Sequence, residues 1–287
     1  MKNCSRPSSF FRSSSLLCGL AATSILWCVN PAQATVIVNE NFNSLSADNL
    51  NGQGGWALLT GITSAPQVTT GVGINTTKVV GQATTGTTAA VARNTSYFSA
   101  GTLTGSETAV TLTFDVYADV GGSIEFFGIG GTYGSGYSPS AQFGIMSGNW
   151  AVRGENYGTI SNPVNSSNVI LTPTLDKWYS VQSVWNLSSG TVTLAIKNLT
   201  DGETSYTPLY FNAAQTQSTV AMSFTNISSW NSAYARIGNS GNGAGYLDNL
   251  HVDTVPEPSG ATLGLFSLAI FVALRRFSAG RRASLRS

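Results

Sequence analysis

Residues Val110 to Val120 alternate without interruption: Val110, Leu112, Phe114, Val116 and Ala118 fall on one side, Thr111, Thr113, Asp115, Tyr117 and Asp119 on the other. A period of two over this length marks an antiparallel strand with one face on a core and one face polar. The same chemistry recurs along the chain. Gly121-Gly122 turns into a strand over Ser123–Gly128, and Trp178–Trp185 is followed by a loop at Asn186–Gly190. Thr191–Asn198 then returns with Val192, Leu194 and Ile196 on one face, and Asp201-Gly202 is a turn signal. Thr219–Phe224, Ala233–Ile237 and Gly245–Val252 complete the set. No long 3.6 period appears between the two ends, and no repeat of roughly 20–50 residues is visible, which argues against a solenoid or propeller. The expected fold is all-β, an antiparallel β-sandwich of the jelly-roll kind.

The two ends obey different rules. Lys2, Arg6 and Arg12 precede an apolar run over Leu16–Val29, and Ala32-Gln33-Ala34 is a small-x-small site. That order is a secretory signal peptide, with cleavage after Ala34. Neither Cys18 nor Cys28 has the small residue before it that a lipoprotein cysteine needs. At the other end, Ala261–Leu274 carries no charge. Even with Ser259 and Gly260 included, such a helix reaches only about 24 Å, short of a permanent span. Arg275, Arg276, Arg281, Arg282 and Arg286 follow, and positive charge holds such a tail on the cytoplasmic side. The chain therefore divides into a signal peptide (1–34), a β-sandwich (35–254) and a C-terminal segment (255–287) with a short transmembrane helix.

Composition bounds the partners. All three cysteines, Cys4, Cys18 and Cys28, precede Thr35, so the exported body has no disulfide and rests on core burial. Eight of the 14 Lys and Arg lie in the end segments; six remain against 13 acids between Glu40 and Glu257, so residues 35–258 carry about −7. That argues against nucleic acid and anionic lipid as partners, since both require basic patches.

Val255-Pro256-Glu257-Pro258, a short apolar helix and an arginine cluster, in that order, resemble the PEP-CTERM sorting signal. The resemblance implies a bacterial exosortase substrate, exported through the Sec translocon and transiently inserted in the inner membrane. Pro256, Glu257 and Pro258 would be recognised and the arginines would stop transfer. The mature form would sit at the cell surface or in the extracellular matrix among exopolysaccharide. A second resemblance lies in Asn39–Trp56, Asp176–Asn198 and Ala235–Pro258, which look like concanavalin-A-like and laminin-G-like sandwiches. It implies that the first and last strands lie side by side. It also implies a structural calcium between them, with Glu40 and Asp248 in suitable places; hard oxygen ligands suit that ion. No other cofactor is expected.

No catalytic constellation stands out. His251 is the one histidine, no G-x-S-x-G elbow occurs, and no Glu-x-Asp-x-x-Glu triplet supplies paired carboxylates. Asp115 and Asp119 share a polar strand face and read as solvated; Glu125 stands alone. The expectation is a non-catalytic structural or carbohydrate-contacting protein. A glycan-acting hydrolase or lyase is the alternative, and a passive matrix filler the third. For sugar contact, Gly128–Trp150 is a Gly-rich stretch carrying Tyr133, Tyr137 and Trp150, and Trp230 and Tyr234 offer a second aromatic pair. Sequons begin at Asn75, Asn94, Asn165, Asn186, Asn198 and Asn226.

Overall fold

The computed structural model describes residues 35–58, 64–81, 88–94, 103, 107–119, 124–133, 136–154, 158–224, 230–238 and 245–256. Residues Ala34–Pro256 form one compact unit. The expected leader with Ala32 and Ala34, and the segment from Glu257 through Pro258 to Arg275, Arg276, Arg281 and Arg282, lie outside the described residues. Among the described residues, no helix is long and apolar enough to cross a membrane.

The unit is an antiparallel β-sandwich of two sheets. The larger has nine strands, numbered in chain order. It runs β13 (Thr207–Pro208), β12 (Thr191–Asn198), β11 (Lys177–Asn186), β6 (Glu107–Ala118), β16 (Tyr246–Pro256), β4 (Asn75–Gly81), β3 (Gln67–Val72). β1 (Thr35–Glu40) also pairs with β16, and β14 (Thr219–Ala221) with β12. The seven-stranded sheet runs β10 (Ile160–Ser161), β9 (Asn149–Arg153), β8 (Gly136–Met146), β7 (Ile124–Tyr133), β15 (Ser232–Gly238), β5 (Thr88–Asn94), β2 (Trp56–Leu58).

Alternation on β6 holds as expected: Val110, Leu112, Phe114, Val116 and Ala118 are all fully buried. Phe114 meets Phe143 of β8 edge-on at 5.0 Å and Phe127 of β7 at 6.2 Å, so its ring joins the two sheets. Trp150 of β9 and Tyr179 of β11 form a second such bridge at 5.2 Å. These rings bridge a core whose other members are mainly Val, Leu, Ile and Ala, each ring burying more apolar area than an aliphatic side chain.

The expected hairpin is present: β11 and β12 pair from Tyr179–Asn198 to Asn186–Thr191. The first and last strands lie side by side, from Thr35 opposite Thr254 to Glu40 opposite Leu250. β16 breaks strict alternation, since Leu247, Leu250 and Val252 are all buried. The cause is a bulge against β6, where the register passes from Asp248–Asp115 to His251–Thr113. Asn249, at φ 50°, takes the left-handed conformation that Asn tolerates better than most residues. The extra residue returns Leu250 to the core.

Two expectations change. Gly128–Trp150, read as a Gly-rich stretch, is mostly strand: the end of β7, all of β8 and the start of β9. Its glycines and Pro139 hide the alternation, and Pro139 sits at a register shift, where a strand tolerates proline. The sandwich also extends to Pro256 rather than Thr254, so Val255 and Pro256 belong to β16.

Replacing Phe114 with alanine removes the ring that touches both sheets. Equilibrium denaturation should show a loss of about 3–5 kcal/mol, as for other buried Phe-to-Ala changes.

Candidate functional site

β7 sends Phe127 and Ile129 into the core, so Phe126 and Gly128 face the other side of the seven-stranded sheet. Cross-strand register extends that outer row. Tyr234 of β15 lies opposite Gly128, Gln142 of β8 lies opposite Gly128 on its other side, and Arg153 of β9 lies opposite Gln142. In the next row, Arg236 lies opposite Phe126. The Phe126 and Tyr234 rings are 5.5 Å apart, and the Arg236 guanidinium is 5.9 Å from the Phe126 ring centre. Gly128 is required here, because a Cβ would come within 2.3 Å of the Ala141 carbonyl oxygen and 3.1 Å of Gln142 Cγ.

Gln142 is fully buried, and neither Oε1 nor Nε2 has a hydrogen-bond partner; Arg236 Nε is likewise buried and unpartnered. An amide carries two donors and an acceptor, and leaving such a group buried and unpaired costs about 1–3 kcal/mol. Native structures contain few such groups, and each calls for an explanation. Gln142 carries adjacent donor and acceptor atoms, with an arginine donor and two rings on the same face; Phe126 and Tyr234 are buried like Gln142, so a ligand reaches this row only where that face opens. Vicinal hydroxyls of a sugar offer the matching acceptor and donor, and the apolar face of a sugar ring suits an aromatic side chain.

The aromatics expected to contact sugar are placed differently. Trp150 is a core residue: its ring lies between the two sheets against Tyr179, not on the outer row. Tyr133 and Tyr137 occupy the end of the β7–β8 hairpin, opposite Gly136 and Thr132; their side chains lie outside the description. Trp230 meets Phe224, and Tyr234 meets Phe126.

The two carboxylates expected around calcium are not brought together. Glu40 lies opposite Leu250 on the core side, accepting from the Phe42 amide at 2.9 Å and from Trp56 Nε1 at 3.4 Å. The bulge leaves Asp248 on the outer face of the same sheet, opposite Asp115. Among the described residues no group of three or more His, Cys, Asp or Glu could hold a metal ion. Asp248 accepts from Asn75 Nδ2 at 2.8 Å, Thr77 Oγ1 at 3.3 Å and the Asn249 amide at 2.8 Å. These donors occupy lone pairs that a hard cation would need.

Asp115, expected to be solvated, is half-buried; its cross-strand neighbours are Asp248 and Ser180. Asn249 Nδ2 donates to it at 2.7 Å. Burial pushes the Asp115 carboxyl up, against hydrogen bonds from Asn249 and Ser180. Burial pushes Asp248 up to about 6, helped by the charge of Asp115. Beside this pair, Ser180 and Tyr206 share a hydrogen bond at 2.9 Å, and Lys197 Nζ sits 4.9 Å from the Tyr206 ring centre. His251 pairs with Asp253 at 2.9 Å on the same strand.

Four of the sequon asparagines have a turn-forming use. Asn75 Oδ1 accepts from Thr77, Asn165 from Ser167 and Val169, Asn186 from Ser189, and Asn198 from Asp201. Asn side chains bonded to backbone a few residues on are a local turn device. That accounts for Asn-rich loops without a glycan.

The raised Asp248 carboxyl sets a pH dependence. The unfolded carboxyl titrates near 3.9, and the folded one at about 6. The native state therefore binds the proton more tightly. This contribution to stability is full below about pH 4 and is lost as pH rises through 6. Chemical denaturation should show the wild type losing on the order of 2 kcal/mol across that window relative to Asp248→Asn. Parallel profiles for the two proteins would contradict the assignment.

No protein-family model matches the chain. No curated protein matches it. Among solved structures it is similar to a protein of unknown function from Shewanella oneidensis MR-1, at 14% identity and TM-score 0.41, over 87% of this chain and 97% of that one. It is similar to the catalytic domain of a glycoside hydrolase family 131 protein from Coprinopsis cinerea, at 10% identity and TM-score 0.41, over 79% and 99%. It is also similar to lectin II from Ulex europaeus, at 10% identity and TM-score 0.41, over 78% and 99%.

Proposed function

We propose that this chain is an exported, exosortase-sorted protein of the bacterial surface or extracellular matrix. Its body, a concanavalin-like sandwich, contacts polysaccharide without altering it. Export is supported by the ordered leader ending at Ala34 and by the sequence from Val255 to the arginine cluster. The observation that carries the binding reading is Gln142: a buried amide with both polar atoms unpaired, beside Phe126, Tyr234 and Arg236, on a face that must open to admit a glycan. A charge of about −7 on residues 35–258 favours a neutral glycan over an anionic one.

The reading is tested by affinity electrophoresis of the body through gels containing defined neutral polysaccharides. Wild-type protein should be retarded by at least one of them. Gln142→Leu should keep the fold, since it removes the unpaired amide, yet lose most of the retardation, about tenfold or more in affinity for a lost pair of hydrogen bonds. Equal mobility of the two proteins in every gel would reject the site.

One observation favours a glycan hydrolase instead: Asp115 and Asp248 face each other across neighbouring strands, and both are held above the usual carboxylate range. Carboxyls roughly 5–9 Å apart are the working pair of glycosidases. Hydrolysis at this pair should release reducing ends from a polysaccharide, and Asp115→Asn and Asp248→Asn should each abolish it, by about a thousandfold or more. Activity that survives both substitutions would remove Asp115 and Asp248 from the chemistry.

A further inference from the structure

The processing site proposed above has a structural neighbourhood that the motif alone does not reveal. Thr254 lies opposite Thr35 in β1 and opposite Val110 in β6, and its hydroxyl donates to the Thr35 carbonyl at 3.3 Å. Val255 lies opposite Ala109, and Pro256 opposite Glu107. The first two residues of Val255-Pro256-Glu257-Pro258 are therefore part of the larger sheet, with no linker between the sandwich and the motif. Thr35 is also the first residue after the expected leader. Both expected cutting sites thus meet the sandwich at one pole, joined by one pair of neighbouring threonines.

We propose that the sheet gates C-terminal processing: the exosortase acts on molecules in which the end of β16 has peeled away from β6. This rests on the sorting reading. An enzyme that takes an extended peptide into a cleft must satisfy the backbone of that peptide itself, and a backbone already engaged in a ladder is not free to enter. The end of β16 is suited to opening. Pro256 has no N–H to offer the ladder, and the register is irregular between Val255 and Pro256. Strand ends of this kind open at far lower cost than the core. Upstream, Val252 is fully buried and Thr254 is bonded to Thr35, so peeling stops after few residues. Processing breaks one backbone amide at the motif; its acyl carbon passes to water or an acceptor amine, and the leaving amine takes up a proton.

The test uses the full-length precursor in membrane vesicles containing an exosortase, with the processed C-terminus read by mass spectrometry over time. Three altered chains are compared with the wild type. The first carries a ten-residue Gly/Ser insertion between Thr254 and Val255. The second carries Ala109→Cys with Val255→Cys. Residues opposite each other on antiparallel strands lie about 4.5–5.5 Å apart at Cα, within disulfide range, and Cys4, Cys18 and Cys28 are changed to serine in every chain so that no other thiol competes. The third carries alanine at Pro256, Glu257 and Pro258.

Gating predicts that the insertion speeds processing at least about fivefold. It also predicts that the oxidised cysteine pair is cut at least about tenfold more slowly than the same chain after reduction. Equal rates for wild type, insertion and cross-linked chains would overturn the gate while leaving sorting intact. A triple-alanine chain processed like the wild type would remove the sorting reading, and the gate with it. Comparing oxidised and reduced forms of one chain separates the cross-link from any effect of changing Val255.

Discussion

The larger sheet is held together by its last strand. β16 lies between β6 and β4, and it alone connects β1, β4 and β3 to the β6–β11–β12 half of that sheet. It pairs with β6 over most of its length, with β4 at its start and with β1 at its end. The Thr254–Thr35 contact spans 219 residues of sequence. Closing so long a loop is entropically costly and is repaid only when the non-local contacts form together. The sheet cannot close before the chain up to Pro256 is available, and the same strand contains Val255 and Pro256, the first two residues of the proposed sorting motif. Under that proposal, folding and processing share one short segment.

The bulge at Asn249 shows how a local backbone choice sets chemistry on both faces. Without it, strict alternation would place Leu247 and Leu250 on opposite sides. With it, both enter the core, and Asp248 is left facing Asp115 outside. Asn249 then uses its amide on Asp115 and its backbone N–H on Asp248, so one residue in a left-handed conformation ties down both acids. Without these donors, two desolvated carboxylates on adjacent strands would repel strongly.

Much of the larger sheet could be read from the chain, because its strands bury one face and show the other. β6, β11 and β12 fall where the pattern puts them, and β6 alternates cleanly from Val110 to Ala118, whereas β11 buries Trp178 to Val181 in succession. β8 could not be read, since Gly136, Pro139 and Gly144 interrupt the pattern and its outer row includes a buried glutamine. Trp150 was misjudged for a related reason: a tryptophan in a Gly-rich stretch looks like a loop ring until β9 is known to turn it onto Tyr179. The Asp115–Asp248 pair and the Gln142 row were invisible because both depend on register between strands distant in sequence. The bulge in β16 shifts that register by one residue, and a one-residue shift reverses which face a side chain occupies.

The outer faces of the two sheets invite opposite readings for one physical reason. On the larger sheet, Asp248 has three protein donors, Ser180 has Tyr206, and Trp178 Nε1 has the Val72 carbonyl. Groups so fully answered from within gain little from a ligand, which would have to break one good bond to make another. On the smaller sheet, Gln142 has no partner for either amide atom, and Arg236 Nε has none. There the folded protein carries the desolvation cost alone, and a polar ligand that reached the amide would recover it. The site most able to convert contact into affinity is thus the one where the fold leaves its hydrogen bonds unmade.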